Sequence, residues 1–249
     1  MTTPAPPVLP PVTGHRGAKG HAPENTMAGL KKAVDLGARW VEFDVKLTAD
    51  NELVLIHDDT VNRTSNGKGA VAGMTLSDIR KLDAGRWFSS DFSGEAVPTL
   101  AEAMDYLAAK GIGANVEVKA CPGREAETGA AVARALAGRW FGGPAPILIS
   151  SFSTDSLAAA GQAAPQIPRG FLTLKFIKDW AARMDELKCA TFHVLDRRFT
   201  EARTRAIREA GYRPLAYTVN DPARARELLS WGVESIITDY PDRILAAIK

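Results

Sequence analysis

Along the second half of the chain, apolar and polar positions alternate in blocks with a steady beat. Short β-branched or apolar runs begin near Ile147, Arg169, Ala190, Arg213 and Glu234, and successive starts lie 21 to 23 residues apart. Between them are Ala-, Leu-, Glu- and Arg-rich stretches whose apolar residues recur at helical spacing, such as EARTRAIREAG from Glu201 and ARARELLSWG from Ala223. Gly211 and Gly232 stand where helices stop, while Asp221-Pro222 and Asp239-Tyr240-Pro241 read as a cap followed by a first-turn proline. A strand–helix unit that repeats without repeating its sequence predicts a parallel sheet.

The first half adds three strands: VTGH ending at His15, WVEFDVKL from Trp40 and GANVEVKA from Gly113. Three and five make eight, the count of a closed (β/α)₈ TIM barrel, and 249 residues is an ordinary length for one. An open doubly wound sheet is the alternative, because counting strands does not prove closure. One connection is too long. From Asp58 to Val97-Pro98 run about forty residues rich in Gly, Asn, Ser and Asp, where a βα loop usually has about 2–6. Within it Thr75…Asp78, and just after it Thr99…Glu102, have capping-box spacing. Residues 59–97 are therefore read as a small lobe inserted after the second βα region and followed by the helix TLAEAMDYLAAKG. An insertion after a barrel strand lies at the catalytic face and is expected to shape the substrate mouth. The organisation predicted is one catalytic barrel over 12–249, preceded by a Pro-rich tail over 1–11 that is expected to be extended and poorly ordered.

Charge narrows the partners. The 31 basic and 29 acidic side chains leave a net +2, which gives no overall field for nucleic acid or for stable association with an anionic membrane. A local anion site is compatible with that balance. No apolar run approaches the roughly 18 residues of a membrane span, and MTTPAPPVLPPVTG lacks the basic start and apolar stretch of a signal peptide. Cys121 and Cys189 lack metal-type spacing and suit a reducing compartment, so the cytoplasm is the expected location.

Candidate chemistry lies on the strands. WVEFDVKL places Trp40, Glu42, Asp44 and Lys46 on one face and Val41, Phe43, Val45 and Leu47 on the other. GANVEVKA repeats the pattern, with Asn115, Glu117 and Lys119 opposite Val116 and Val118. If the apolar sets meet the outer helices, the carboxylates fall inside the barrel or at its rim. Three such carboxylates suit a hard divalent cation; the alternative is ion pairing with Lys46, Lys119 or Arg16. His15 and His57 both end strand-like runs beside charged residues. Arg16 is suited to a bidentate grip on phosphate or, alternatively, to a salt bridge with a rim carboxylate. His21, in a loop, and His193, sharing a strand face with Thr191, are weaker candidates. Asn25 immediately precedes a helix and is most simply its cap. Cys121 has nothing beside it that marks a nucleophile, and Ser150-Ser151-Phe152 resembles no nucleophile elbow.

The ordered set of motifs resembles the glycerophosphodiester phosphodiesterase family, above all its bacterial cytosolic members. The matching residues are His15–Gly17, Pro23–Thr26, Glu42–Val45 with Thr48 and Asp50, Leu53–Asp59, Arg63-Thr64, Gly67, Gly69 and Asn115–Lys119. Further matches are LDAGRWF from Leu82, VPTLAEA from Val97, SSF from Ser150, YTVN from Tyr217 and ITDYPD from Ile237. The resemblance implies that Glu42, Asp44 and Glu117 hold one Mg²⁺ or Ca²⁺. It also implies that His15 and His57 act as general acid and base, and that Arg16 and Lys119 hold the phosphate. Tyr217 stands where the family usually has tryptophan, which alters the wall near the leaving group. The implied substrate is a small glycerophosphodiester, hydrolysed to sn-glycerol 3-phosphate and an alcohol. The rivals are a phospholipase D-like lyase that releases a cyclic phosphate and a non-catalytic phosphodiester-binding module.

Overall fold

The strand pattern closes on itself. A computed structural model describes residues 8–249; the predicted tail before Val8 lies outside the described residues. The strands are β1 (Val12–Gly14), β2 (Trp40–Leu47), β3 (Leu53–Leu55), β4 (Gly113–Val118), β5 (Ile147–Ser151), β6 (Arg169–Thr173), β7 (Thr191–Leu195), β8 (Arg213–Tyr217) and β9 (Ser235–Thr238). Hydrogen-bonded neighbours run β1-β9-β8-β7-β6-β5-β4-β2, and a β1–β2 pairing shuts the ring. All these pairings are parallel. The open-sheet alternative is thereby excluded. β3 is an addition: it pairs antiparallel to the end of β2, Val45 opposite Leu55.

Helices α1 (Met27–Asp35), α2 (Leu76–Ile79), α3 (Leu100–Lys110), α4 (Glu125–Arg139), α5 (Thr154–Ala163), α6 (Trp180–Leu187), α7 (Glu201–Glu209), α8 (Pro222–Ser230) and α9 (Pro241–Ala247) complete the order. Both predicted capping boxes form, at Thr75/Asp78 and Thr99/Glu102. Gly211 and Gly232 follow α7 and α8 at φ +86 and +94, left-handed values that terminate a helix cheaply only in glycine. No helix of the described residues is long and apolar enough to cross a membrane.

The period-2 alternation sorts side chains into two layers. Val41, Phe43 and Val45 of β2 face outward and pack with Leu30 of α1 and Leu107 of α3. Inside, Trp40, Leu148, Leu215 and Ile237 form a thin apolar filling, joined by Leu9. This corrects the expectation of a loose tail up to Pro11: Leu9 is buried because the barrel interior offers its side chain an apolar seat. The segment 59–97 carries two 3₁₀ turns and α2, and packs Val61, Val71, Ile79, Ala84 and Val97 on Val54, Ile56 and Cys121. Its ends are clasped, with the Leu55 N–H donating to the Pro98 carbonyl at 2.9 Å.

Candidate active site

At the C-terminal ends of the strands, the alternation in β2 and β4 delivers Glu42, Asp44 and Glu117 to one place. Register pairs Asp44 with Glu117 across the two strands. One oxygen from each of the three carboxylates lies within 4.8 Å of the others, and all three residues are buried. Burial first, then Asp44 and Glu117 beside it, pushes the Glu42 carboxyl well above the usual carboxylate range. Burial and Asp44 push Glu117 up to about 7, against the pull of Lys119. For Asp44 burial is outweighed by Arg16 and Lys119, which hold it at about 2. Glu42 Oε1 and Asp44 Oδ1 are buried without a hydrogen-bond donor. Orphaned carboxylate oxygens at this spacing cost free energy until something positive reaches them, so the donor set fits a hard divalent cation.

Two arginine- and lysine-borne charges reach the same carboxylates. Arg16, at φ +49, turns its backbone N–H to Glu42 Oε2 at 2.9 Å and its Nε to within 3.2 Å of Asp44 Oδ2. Lys119 Nζ donates to Glu117 Oε1 at 2.7 Å and lies 4.8 Å above the Phe152 ring. Both ion-pairing and metal-ligand readings of the carboxylates therefore have a structural counterpart, since the two cations leave carboxylate oxygens unserved.

The histidines flank this cluster. His15 Nδ1 bonds Asp239 Oδ1 at 2.6 Å, and its Nε2 lies 4.0 Å from Glu42 Oε2. His57 Nδ1 bonds Asp58 Oδ1 at 2.7 Å. Asp58 and Asp239 are both held below the usual carboxylate range, Asp58 chiefly by hydrogen bonds from Arg63 and Asp239 by His15 against the effect of its own burial. Ionised carboxylates can only accept, so Nδ1 carries the proton in each ring and Nε2 is left with a lone pair when the imidazole is neutral. Burial lowers both imidazoles, although Asp239 for His15 and Asp44 for His57 pull the other way.

A cavity of about 340 Å³ joins these groups, with Asn115, Glu117 and Lys119 at its polar side and Phe152, Leu172, Leu195, Tyr217 and Ile237 at its apolar side. His57, Lys119, Phe152 and Leu174 also line a neighbouring, wider chamber of about 710 Å³ bordered by Asp59, Glu125 and Ser153. Tyr217 sits edge-on to Phe152, its hydroxyl donating to the Thr173 carbonyl at 2.8 Å.

Of the eight residues to which the family resemblance gives a place in the site, His15, Arg16, Glu42, His57, Glu117, Lys119 and Tyr217 line this cleft, and Asp44 lies buried just beneath it against Arg16. His21 does not line it; it pairs with Asp242 at 2.8 Å. His193 is enclosed within the barrel against Thr191, where burial lowers it to about 3. Two sequence expectations are corrected. Thr26, not Asn25, caps α1, because Asn25 at φ +55 spends its amide on Asp44: Nδ2 donates to Oδ2 at 2.8 Å and Oδ1 accepts from the Asp44 N–H at 3.1 Å. Asp239 caps nothing; its carboxylate is committed to His15 and to Asn220 Nδ2. Glu24 and Arg63, given no role from sequence, form the site's outer ion-pair network. Their membership of the matched motifs Pro23–Thr26, Leu53–Asp59 and Arg63-Thr64 was the signal the sequence held for Glu24, Asp58 and Arg63.

Residues 15–243 match the model of the glycerophosphoryl diester phosphodiesterase family. A glycerophosphodiester phosphodiesterase of Caldanaerobacter subterraneus subsp. tengcongensis is 34% identical, covering 96% of this chain and 97% of the relative. A phosphodiesterase of Oleispira antarctica, solved with the product sn-glycerol-3-phosphate, is 39% identical with a TM-score of 0.93, covering 96% of this chain and 97% of that one. A glycerophosphodiester phosphodiesterase of Agrobacterium tumefaciens is 31% identical with a TM-score of 0.80, covering 96% and 100%. With a closed barrel, carboxylates and two histidines gathered at its C-terminal rim, and relatives matched along nearly their whole length, the chain belongs to the glycerophosphoryl diester phosphodiesterase family and is a phosphodiester hydrolase.

Proposed function

We propose that this protein hydrolyses small glycerophosphodiesters to sn-glycerol 3-phosphate and an alcohol, with His15 and His57 as the proton-transfer pair and a divalent cation, Mg²⁺ or Ca²⁺, held by Glu42, Asp44 and Glu117. The observation that carries the reading is the placement of two aspartate-oriented imidazoles beside one cluster of orphaned carboxylate oxygens. A bound divalent cation supplies positive charge for the phosphate and a neighbouring glycerol hydroxyl.

The chain's own groups do the rest. Arg16 and Lys119 offset the phosphate's negative charge. One imidazole takes a proton at Nε2 from the attacking hydroxyl or water, and the other, protonated, returns a proton to the departing alkoxide. Asp239 and Asp58 hold the rings in the required tautomer and stabilise whichever becomes cationic. Phe152, Leu172 and Ile237 exclude water from one side of the cavity, while the wider chamber beyond His57 gives the leaving alcohol room. The product named for the Oleispira structure has the glycerol phosphate half of such a substrate. Two free buried thiols, Cys121 and Cys189, fit a reducing compartment, and the cytoplasm is the proposed location. Product analysis on glycerophosphocholine tests the reaction. Choline plus glycerol phosphate is expected; phosphocholine plus glycerol refutes it, and a persistent cyclic phosphate points to the lyase.

A further inference from the structure

Arg63 belongs to the inserted segment, not to the barrel, yet it makes four polar contacts with the barrel's catalytic end. Its Nε and one terminal nitrogen donate to Asp58 at 2.7 and 2.9 Å. That same terminal nitrogen and its twin donate to Glu24 at 2.8 and 2.9 Å. Each carboxylate is in turn committed to a group in the cleft. Glu24 Oε1 accepts from Arg16 at 2.7 Å, and Asp58 Oδ1 engages His57 Nδ1 at 2.7 Å. Glu24 is buried to 1% side-chain exposure, whereas Arg63 is 43% exposed.

We infer that Arg63 is a positioning residue that sets the distance between Arg16 and His57 by bridging the two carboxylates that hold them. Three chain segments meet at its guanidinium: the β1–α1 loop through Glu24, the stretch after β3 through Asp58, and the inserted lobe through Arg63 itself. Only a planar fork of five donors can grip two carboxylates at once; an ammonium at this place has the charge without the geometry. An imidazole whose orienting carboxylate is loose samples the wrong tautomer and angle, which costs rate without abolishing binding. A rival account makes Arg63 a tether for the lobe alone, with no bearing on His57.

The inference rests on the reading of His57 as a proton-transfer group, and the test separates the two. Turnover of glycerophosphocholine is compared in the full-length protein for Arg63→Gln, His57→Ala and the double variant. Arg63→Gln should lower kcat by about 10–100-fold, the range seen when a residue orienting a functional side chain is removed. Arg63→Lys should fall between Arg63→Gln and the parent. On the His57→Ala background the same Arg63→Gln change should cost clearly less than in the parent, because one of the two groups it positions is gone and only its hold on Arg16 remains. Ring ¹⁵N spectra add an independent readout, since the chain has only four histidines. His57 should be protonated at Nδ1 in the parent and become a mixture of tautomers in Arg63→Gln. Losses that multiply in full, or a His57 ring signal unmoved by Arg63→Gln, overturn the inference and leave the proton-transfer reading standing. Undiminished turnover in His57→Ala overturns both.

Discussion

In protein stripped of divalent cations, Glu117 gives folding stability an unusual dependence on pH. Its carboxyl is buried beside Asp44 and pushed up to about 7 in the folded chain, from 4.5. A carboxyl raised on folding binds its proton more tightly in the native state, so its contribution is complete below pH 4.5 and is lost as pH rises through 7. Between pH 5 and pH 8 that change amounts to about 2–3 kcal/mol. His15 and His57 act in the opposite sense. Both are lowered on folding, so the unfolded chain protonates first and stability falls as pH drops below 6.5. A single pH curve therefore mixes signs, and the comparison that removes Glu117, together with its push on Glu42, is with Glu117→Gln. Urea unfolding of chelator-treated samples at pH 5 and pH 8 is the assay. Relative to Glu117→Gln, the parent should lose about 2–3 kcal/mol over that interval. Saturating Mg²⁺ or Ca²⁺ should stabilise the parent at pH 8 much more than at pH 5, where protons compete for the same oxygens. Parallel curves for parent and variant, or equal stabilisation by the cation at both pH values, would refute the account of the cluster.

The remaining expectations are simpler. Asn25→Ala removes two hydrogen bonds to Asp44 and puts at φ +55 a residue that tolerates the left-handed region less well than asparagine, which should cost about 3–5 kcal/mol in urea unfolding; a loss below 1 kcal/mol contradicts the hold of this amide on Asp44. His15→Ala and His57→Ala should each lower kcat by about 10²–10⁴-fold, with losses that do not multiply, while His21→Ala stays near the parent in steady-state assays. Tyr217→Phe removes one bond to the Thr173 carbonyl and should lower stability by about 1 kcal/mol, with turnover of glycerophosphocholine little changed.

How much of this was legible beforehand follows from where each interaction is encoded. The alternation of WVEFDVKL carries its own register, so the placing of Glu42 and Asp44 on one face could be read from eight letters. The strand beat likewise foretold the barrel, with β7 and β9 each beginning one residue after the expected starts at Ala190 and Glu234. Contacts between distant segments leave no such trace. Asp239 lies 224 positions from His15 and sits before a proline, a local pattern that speaks for a helix cap. Asn25 gave the same local signal, and nothing near it in sequence revealed the positive φ that turns its amide away from α1 and onto Asp44. Leu9 looked like tail because its seat is made by Trp40, Leu148, Leu215 and Ile237, from four different strands.

The clasp between Leu55 and Pro98 has a consequence for how the fold tolerates change. With an adjoining bridge between Val54 and Thr99, it brings the two ends of the 59–97 excursion side by side on the barrel rim. His57 is already fixed ahead of the excursion, since the Ile56 N–H donates to the Asp44 carbonyl at 3.1 Å. Closure entropy grows only slowly with loop length, so cassettes of quite different size could be exchanged between these ends, provided each covers Val54, Ile56 and Cys121 as the native one does. What such a graft cannot omit is a guanidinium, because the native cassette delivers its one grip on both Glu24 and Asp58 only five residues past Asp58.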